Sequence, residues 1–259
     1  MPSHSCPPRP DLGSAPMRRP RPATVLHISD CHLDDEEGDR NHRAFASAID
    51  LSIELDVDLL LITGDLFDHS RVRDPLLEWT AANLDRSDRP VVLIAGNHDC
   101  LNDMSVHHRF SAGSRCRRVT FLDDPAGTSV DVPGTDITVW GKAMVEHETA
   151  YQPLAGAPSR IAGRWNIIAA HGLVMDQRGD LGRSSPILTE ELDGIDADYV
   201  ALGHIHTFQL IRRQPLTVYA GATASSVKGQ PGAVVVALET DRPPKLHWQA
   251  LSIGDSGFD

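Results

Sequence analysis

The 259-residue chain holds 24 Lys and Arg against 36 Asp and Glu, a formal net charge of −12, and 41% of it is apolar. That is enough for one large α/β core without a second domain. The acidic balance argues against a dedicated nucleic-acid binder, whose footprint is basic, and no run approaches the roughly 18 apolar residues of a membrane span.

Residues 1–22 include Pro2, Pro7, Pro8, Pro10, Pro16, Pro20 and Pro22. They carry little apolar content to offset the entropy of ordering, so a flexible tail is expected there, followed by a single domain over 23–259. Met17, just before the first strand, is an alternative initiator. The stretch lacks the apolar core of a signal peptide, and Cys6, Cys31, Cys100 and Cys116 show neither paired zinc spacing nor a disulfide framework. A reducing, cytoplasmic location is expected.

Residues 24–29 read as a buried strand running into Asp30-Cys31-His32 and then an acidic loop, Asp34, Asp35, Glu36, Glu37 and Asp39. Arg40 to Glu54 carries Ala44, Phe45, Ala48, Ile49, Leu51 and Ile53 on one broad helical face. Residues 58–63 form a second apolar run into Gly64-Asp65, with Asp68 three residues on, and a helix is expected near Pro75 with Leu76, Leu77 and Trp79. Residues 91–95 lead into Gly96-Asn97-His98-Asp99, where Asp99 reads as a cap outside the site. Arg109, Arg115, Arg117 and Arg118 follow, a cluster that is most simply solvated surface but would suit a phosphate chain if it bordered the cleft. Pro153, Gly156, Pro158 and Gly163 mark a surface excursion before residues 166–170, which end in His171-Gly172 and a loop over 172–185. Residues 198–202 run into Gly203-His204-Ile205-His206, and the runs 208–213, Leu216–Tyr219, 233–238 and 246–251 read as antiparallel strands of a second sheet packed on the first.

Five apolar runs therefore each end in a residue that binds metals or moves protons. In open α/β sheets the carboxyl ends of the strands line one cleft, so these residues are expected to converge there. Asp30, His32, Asp65, Asn97, His171, His204 and His206 offer carboxylate, imidazole and amide ligands without a thiolate, a set suited to Mn²⁺, Fe or Zn²⁺. Seven ligands exceed one ordinary site, and two ions sharing Asp65, roughly 3.5–4 Å apart, would hold a bridging hydroxide for attack on phosphorus. His98 adjoins a ligand without being needed as one and is assigned as general acid, with Asp68 accepting its second N–H. The other histidines, at positions 4, 27, 42, 69, 107, 108, 147 and 247, read as surface or packing residues.

The ordered pattern Asp30-x-His32, Gly64-Asp65-x-x-Asp68, Gly96-Asn97-His98-Asp99, His171 and Gly203-His204-x-His206 resembles the calcineurin-like metallophosphoesterase superfamily. The wording of residues 198–206, followed by Tyr219-Ala220-Gly221, is similar to its SbcD-type nuclease branch. The resemblance implies a four-layer α-β-β-α sandwich of two packed mixed sheets and two divalent ions, Mn²⁺ first and Fe or Zn²⁺ next. One ion would take Asp30, His32, Asp65 and His206, the other Asp65, Asn97, His171 and His204, with His98 and Asp68 as the acid pair. Hydrolysis of phosphodiester or phosphomonoester bonds is expected, with SbcD-type nuclease action as the alternative and a non-catalytic interaction module of the same fold as a further one. The substrate is then a phosphate ester, with a nucleic acid as the alternative, and no membrane is involved.

Overall fold

The computed structural model describes residues 18–36, 38–176 and 185–254. Most of the expected tail and residues 177–184 of the loop expected after His171 lie outside the described residues. In chain order the elements are β1 (Ala23–Ile28), α1 (Arg40–Glu54), β2 (Leu59–Thr63), α2 (Asp74–Ser87), β3 (Val91–Ile94), α3 (Val106–Phe110), α4 (Ala112–Arg115), β4 (Val119–Phe121), β5 (Thr128–Asp131), β6 (Ile137–Gly141), β7 (Trp165–His171), β8 (Leu173–Met175), β9 (Pro186–Leu188), α5 (Thr189–Asp193), β10 (Tyr199–Gly203), β11 (Gln209–Arg213), β12 (Leu216–Tyr219), β13 (Gly232–Leu238) and β14 (Lys245–Ala250).

Two six-stranded mixed sheets pack face to face, one in the order β14-β13-β1-β2-β3-β4 and the other β11-β12-β10-β7-β6-β5. Alternation along each strand decides which layer a side chain enters. In β1 and β2, Leu26, Ile28, Leu60 and Ile62 face Phe45, Ala48, Ile49 and Leu77 of α1 and α2. Val25, Leu59 and Leu61 instead meet Ile167, Ala169, Tyr199 and Ala201 of the second sheet. Outside that second sheet, α5 and the segment after β6 supply Leu192 and Leu154, a thin fourth layer over Trp140, Ile168, Val200 and Leu202 of the sheet. Helix α1 starts at Asp39, whose carboxylate accepts from the His42 N–H, and buries Phe45 and Ile49 completely. Each such burial contributes about 1.5–3 kcal/mol.

The structure alters three expectations. The last four strands do not form one second sheet: β11 and β12 pair in the second, while β13 returns to lie antiparallel to β1, with Ala23 opposite Leu238, and carries β14 beside it. Conversely the second sheet contains β7 and β10, so the five site strands come from two sheets, not one open sheet. Alternation reports only which faces of a strand are covered, and many partners satisfy it. Finally, residues 18–22 of the expected tail are bound to the body. Arg18 and Arg21 pair with Asp136, Trp165 Nε1 donates to the Arg21 carbonyl at 2.6 Å, and the Thr240 hydroxyl donates to that of Pro20 at 2.8 Å. No helix of the described residues is long and apolar enough to cross a membrane.

Candidate metal centre

The carboxyl ends of β1, β2 and β3 in one sheet and of β7 and β10 in the other open at the same edge. Backbone bonds tie the first loops together: Asp30 N–H to Gly64 O at 3.1 Å, His32 N–H to Asp65 O at 3.0 Å and Leu33 N–H to Leu66 O at 3.0 Å. The strand ends are so close that a Cβ on Gly96 would strike the Asp65 carboxylate after the neighbouring strand, and one on Gly203 the Thr63 carbonyl of the other sheet. Asp30, His32, Asp65 and His204 adopt φ of 49°, 46°, 51° and 101°. Such left-handed conformations in residues with side chains cost about 1–3 kcal/mol each and gather at functional sites.

The side chains form two groups around Asp65. In the first, His206 Nε2 lies 3.6 Å from Asp30 Oδ1 and 3.1 Å from His32 Nε2, which is 3.9 Å from Asp65 Oδ2. In the second, Asn97 Oδ1 lies 3.0 Å from His171 Nε2 and 2.8 Å from His204 Nδ1, and His171 Nε2 is 3.4 Å from Asp65 Oδ2. All seven expected ligands are thus brought together. Their orientations fit cations. His32 Nδ1 donates to Asp68 Oδ1 at 2.9 Å and His171 Nδ1 to the Thr63 carbonyl at 2.8 Å, which in the neutral rings leaves the Nε2 lone pairs aimed into the site. A lone pair facing the oxygen of Asn97 is repulsive unless a proton or a metal ion stands between them.

The electrostatics agree. Burial pushes the Asp30 carboxyl up, and Asp65 beside it adds to the rise against the pull of His171. Burial opposes ionisation of Asp65 too, but His171, His32 and the donated His98 N–H outweigh it and hold that carboxyl well below the usual range. Burial likewise opposes charge on His171, yet Asp65 and Asp30 carry its pKa up to about 9. His204 is pushed down to about 4 by burial and by His171. Without metal, one proton on His171 fills the role of a cation.

His98 is exposed at the rim. Its N–H donates to Asp65 Oδ1 at 2.8 Å, and its Nδ1 lies 2.8 Å from the Asp68 carbonyl oxygen and 3.3 Å from Asp68 Oδ1. Asp68 therefore serves both His98 and the ligand-set residue His32, a sharing that chain order does not reveal. Asp99 proves closer to the site than a terminal cap: buried, it accepts from Gly96 N–H at 2.7 Å and from Leu66 N–H at 2.9 Å, pinning the Asp65 loop to the Asn97 loop. His107, buried and stacked on Phe121, lies 3.2 Å from Asp99 Oδ2. His147 brings its ring within 5.5 Å of His204; nothing in its irregular segment signals this. Arg117 and Arg118 are not at the cleft. They pair with Asp85 in the last turn of α2 and Asp88 at its C-cap, and the Arg118 carbonyl bonds Val91 N–H where β3 begins, the opposite end from the proposed ligands.

Residues 23–208 match the family model described as calcineurin-like phosphoesterase. The DNA double-strand break repair protein Mre11 of Thermoplasma acidophilum is 26% identical over 232 residues, which span 76% of this chain and 55% of that protein. A probable cyclic nucleotide phosphodiesterase of Fibrobacter succinogenes is 25% identical over 249 residues, 90% of each chain. The chain spans about half the length of the Mre11 proteins it matches. A dimetal phosphatase from Danio rerio superposes with a TM-score of 0.58 over 90% of this chain and 99% of its own, at 10% identity, a likeness of fold.

Proposed function

The chain belongs to the calcineurin-like phosphoesterase family, and from that premise we propose that it hydrolyses phosphodiester bonds with two divalent ions held on either side of Asp65. The observation that carries this reading is the placement of Asp65 Oδ2 between two sets of donors, 3.9 Å from His32 Nε2 and 3.4 Å from His171 Nε2. Asp30, His32 and His206 complete one position, and Asn97, His171 and His204 the other. When bound there, such ions supply positive charge for the phosphoryl oxygens and make water acidic enough to act as nucleophile near neutral pH. Oxygen and nitrogen donors without a thiolate suit Mn²⁺, Fe or Zn²⁺.

The chain's own residues supply the rest. Asp65 accepts the His98 N–H and fixes the backbone of that loop, while the Asp68 carbonyl holds His98 Nδ1. His98 Nε2 is then left to donate a proton to the departing alkoxide. A second reading, nuclease action on DNA, is favoured by the likeness to Mre11. The small-ester reading is favoured by the acidic loop after His32 and by the full-length likeness to a probable cyclic nucleotide phosphodiesterase. A reducing, cytoplasmic setting suits the free thiols Cys31, Cys100 and Cys116.

The test is Mn²⁺-dependent turnover of bis-nitrophenyl phosphate, a cyclic nucleotide and a linear DNA duplex, with His98→Asn as control. The reading expects diester hydrolysis that His98→Asn slows about 10²–10⁴-fold for alkoxide leaving groups and far less for nitrophenolate. DNA cleavage lost in the variant would select the nuclease. Absence of turnover on all three substrates with Mn²⁺, Fe or Zn²⁺ would defeat the proposal.

A further inference from the structure

A polar chain runs through the apolar layer between the two sheets, directly beneath the ligands. His27, on β1, is completely buried, and so is Thr63 at the end of β2. His27 Nδ1 lies 2.7 Å from the hydroxyl of Tyr199 on β10, and its Nε2 lies 2.8 Å from Thr63 Oγ1. The Thr63 carbonyl accepts from Ser29 Oγ at 2.9 Å and from His171 Nδ1 at 2.8 Å. Tyr199 closes the circuit, because β10 and β7 run in register from Tyr199 opposite Ile167 to Gly203 opposite His171.

The same layer is otherwise filled by Val25, Leu59, Leu61, Ile167 and Ala201. Burying three polar side chains there is unfavourable unless each is hydrogen-bonded, and apolar residues of similar volume would stabilise the core as well or better. Burial drives the His27 pKa down to about 3, so the ring stays neutral and the network keeps one charge state across the working pH range. The consequence lies at its far end. Thr63 ends its strand with its carbonyl turned toward the other sheet, and that carbonyl fixes both the tautomer and the direction of His171.

We propose that His27 is a positioning residue for the metal position formed by Asn97, His171 and His204, acting through Thr63 on the direction of the His171 ring. The inference rests on the two-ion reading above. Removing the direct partner of a ligand histidine weakens metal binding about 10–100-fold; His27 acts one bond further away, through Thr63, whose carbonyl stays in place, so the lower end of that range is its ceiling. The other position, with Asp30, His32 and His206, meets this chain of contacts only at Ser29, which bonds Asp30, and keeps its affinity where Ser29 and the Thr63 carbonyl stay in place.

The experiment is a Mn²⁺ titration followed by electron paramagnetic resonance of the free ion, with thermal unfolding beside it. Wild type is expected to bind two equivalents, and Asn97→Ala identifies the step that belongs to the second position. The informative variant combines His27→Leu, Thr63→Val and Tyr199→Phe, which removes the network without leaving a buried polar group unpaired. It is expected to unfold at or above the wild-type temperature while the Asn97-dependent step weakens by up to about tenfold and the other step is unchanged. His27→Gln, which can still bond both neighbours, is expected to restore most of that step, and it serves with Thr63→Val alone should the triple variant not fold. Retention of both steps in a folded variant, or equal weakening of both, would overturn the inference and leave His27 a packing residue. A wild type that does not take up two equivalents would overturn the two-ion reading and this inference with it.

Discussion

Replacing Asp68 by Ala separates two jobs that family analogy merges into one. The carboxylate is 2.9 Å from His32 Nδ1 and 3.3 Å from His98 Nδ1, so its loss removes an orienting partner from a proposed ligand as well as a charge beside the proposed acid. Loss of a partner behind a ligand histidine costs about 10–100-fold in metal affinity, or about 1.4–2.7 kcal/mol. The Asp68 side chain is 40% exposed, and solvent screening places the expected effect at the lower end, about tenfold. Asp68→Asn keeps an acceptor but loses the charge that strengthens the bond, so it should fall between wild type and Ala. The assay is a two-step Mn²⁺ isotherm together with hydrolysis rates over a series of leaving groups. Asp68→Ala should weaken one metal step and also slow poor leaving groups, whereas His98→Asn should slow poor leaving groups with both steps intact. An unchanged isotherm for Asp68→Ala would refute the assignment of Asp68 to His32.

The remaining expectations concern the bridge, the pH response and the close approach of the sheets. Asp65→Asn should abolish both metal steps; a variant that still takes up one equivalent at wild-type affinity would contradict a shared carboxylate. In metal-free protein the His171 pKa rises from 6.5 to about 9 on folding, which corresponds to stabilisation on the order of 3 kcal/mol. Because a raised pKa stabilises the protonated state, this contribution is full below about pH 6.5 and is lost as pH rises through about 9, while Asp65, held low, stays ionised throughout. Calorimetry of the metal-free chain should therefore show Tm falling across that window, and His171→Asn should flatten the fall; a wild-type Tm independent of pH there would count against the ion pair. Gly203→Ala places a Cβ against the Thr63 carbonyl and Ser29 Oγ, so a loss of about 1–3 kcal/mol and a Tm drop of roughly 2–10 °C are expected. Gly113→Ala, in open space, is the control; equal Tm values for the two variants would show that the sheets can separate freely.

Much of the site was legible in the sequence because its signals are local. An apolar run of about five residues that leads into a metal-binding residue, with Gly before Asp65, Asn97 and His204, is at once a strand, a turn and a donor, and each such run became a strand ending at the cleft: β1 before Asp30, β2 before Asp65, β3 before Asn97. Helix α1 was legible for the same reason, since its apolar face repeats within a few turns, while the Asp39 cap emerged only in the structure. The supporting shell was not. Asp99 resembled any acidic residue before a turn, and only its distance from Leu66 N–H, 33 residues earlier, shows that it joins two ligand loops.

The chain order of the proposed ligands, the strands that present them and the chemistry of the donor set are thus properties of the sequence itself, set by covalent neighbours and by alternation along single strands. Tertiary structure decided what depends on partners distant in the chain. It sent β13 back to β1 and put β7 and β10 in the other sheet. It moved Arg117 and Arg118 to the far end, gave Asp68 to two histidines, and threaded His27 to Thr63 beneath His171. Strand pairing and side-chain hydrogen bonds depend on proximity in space, and a strand's own pattern says which faces it buries without saying against what.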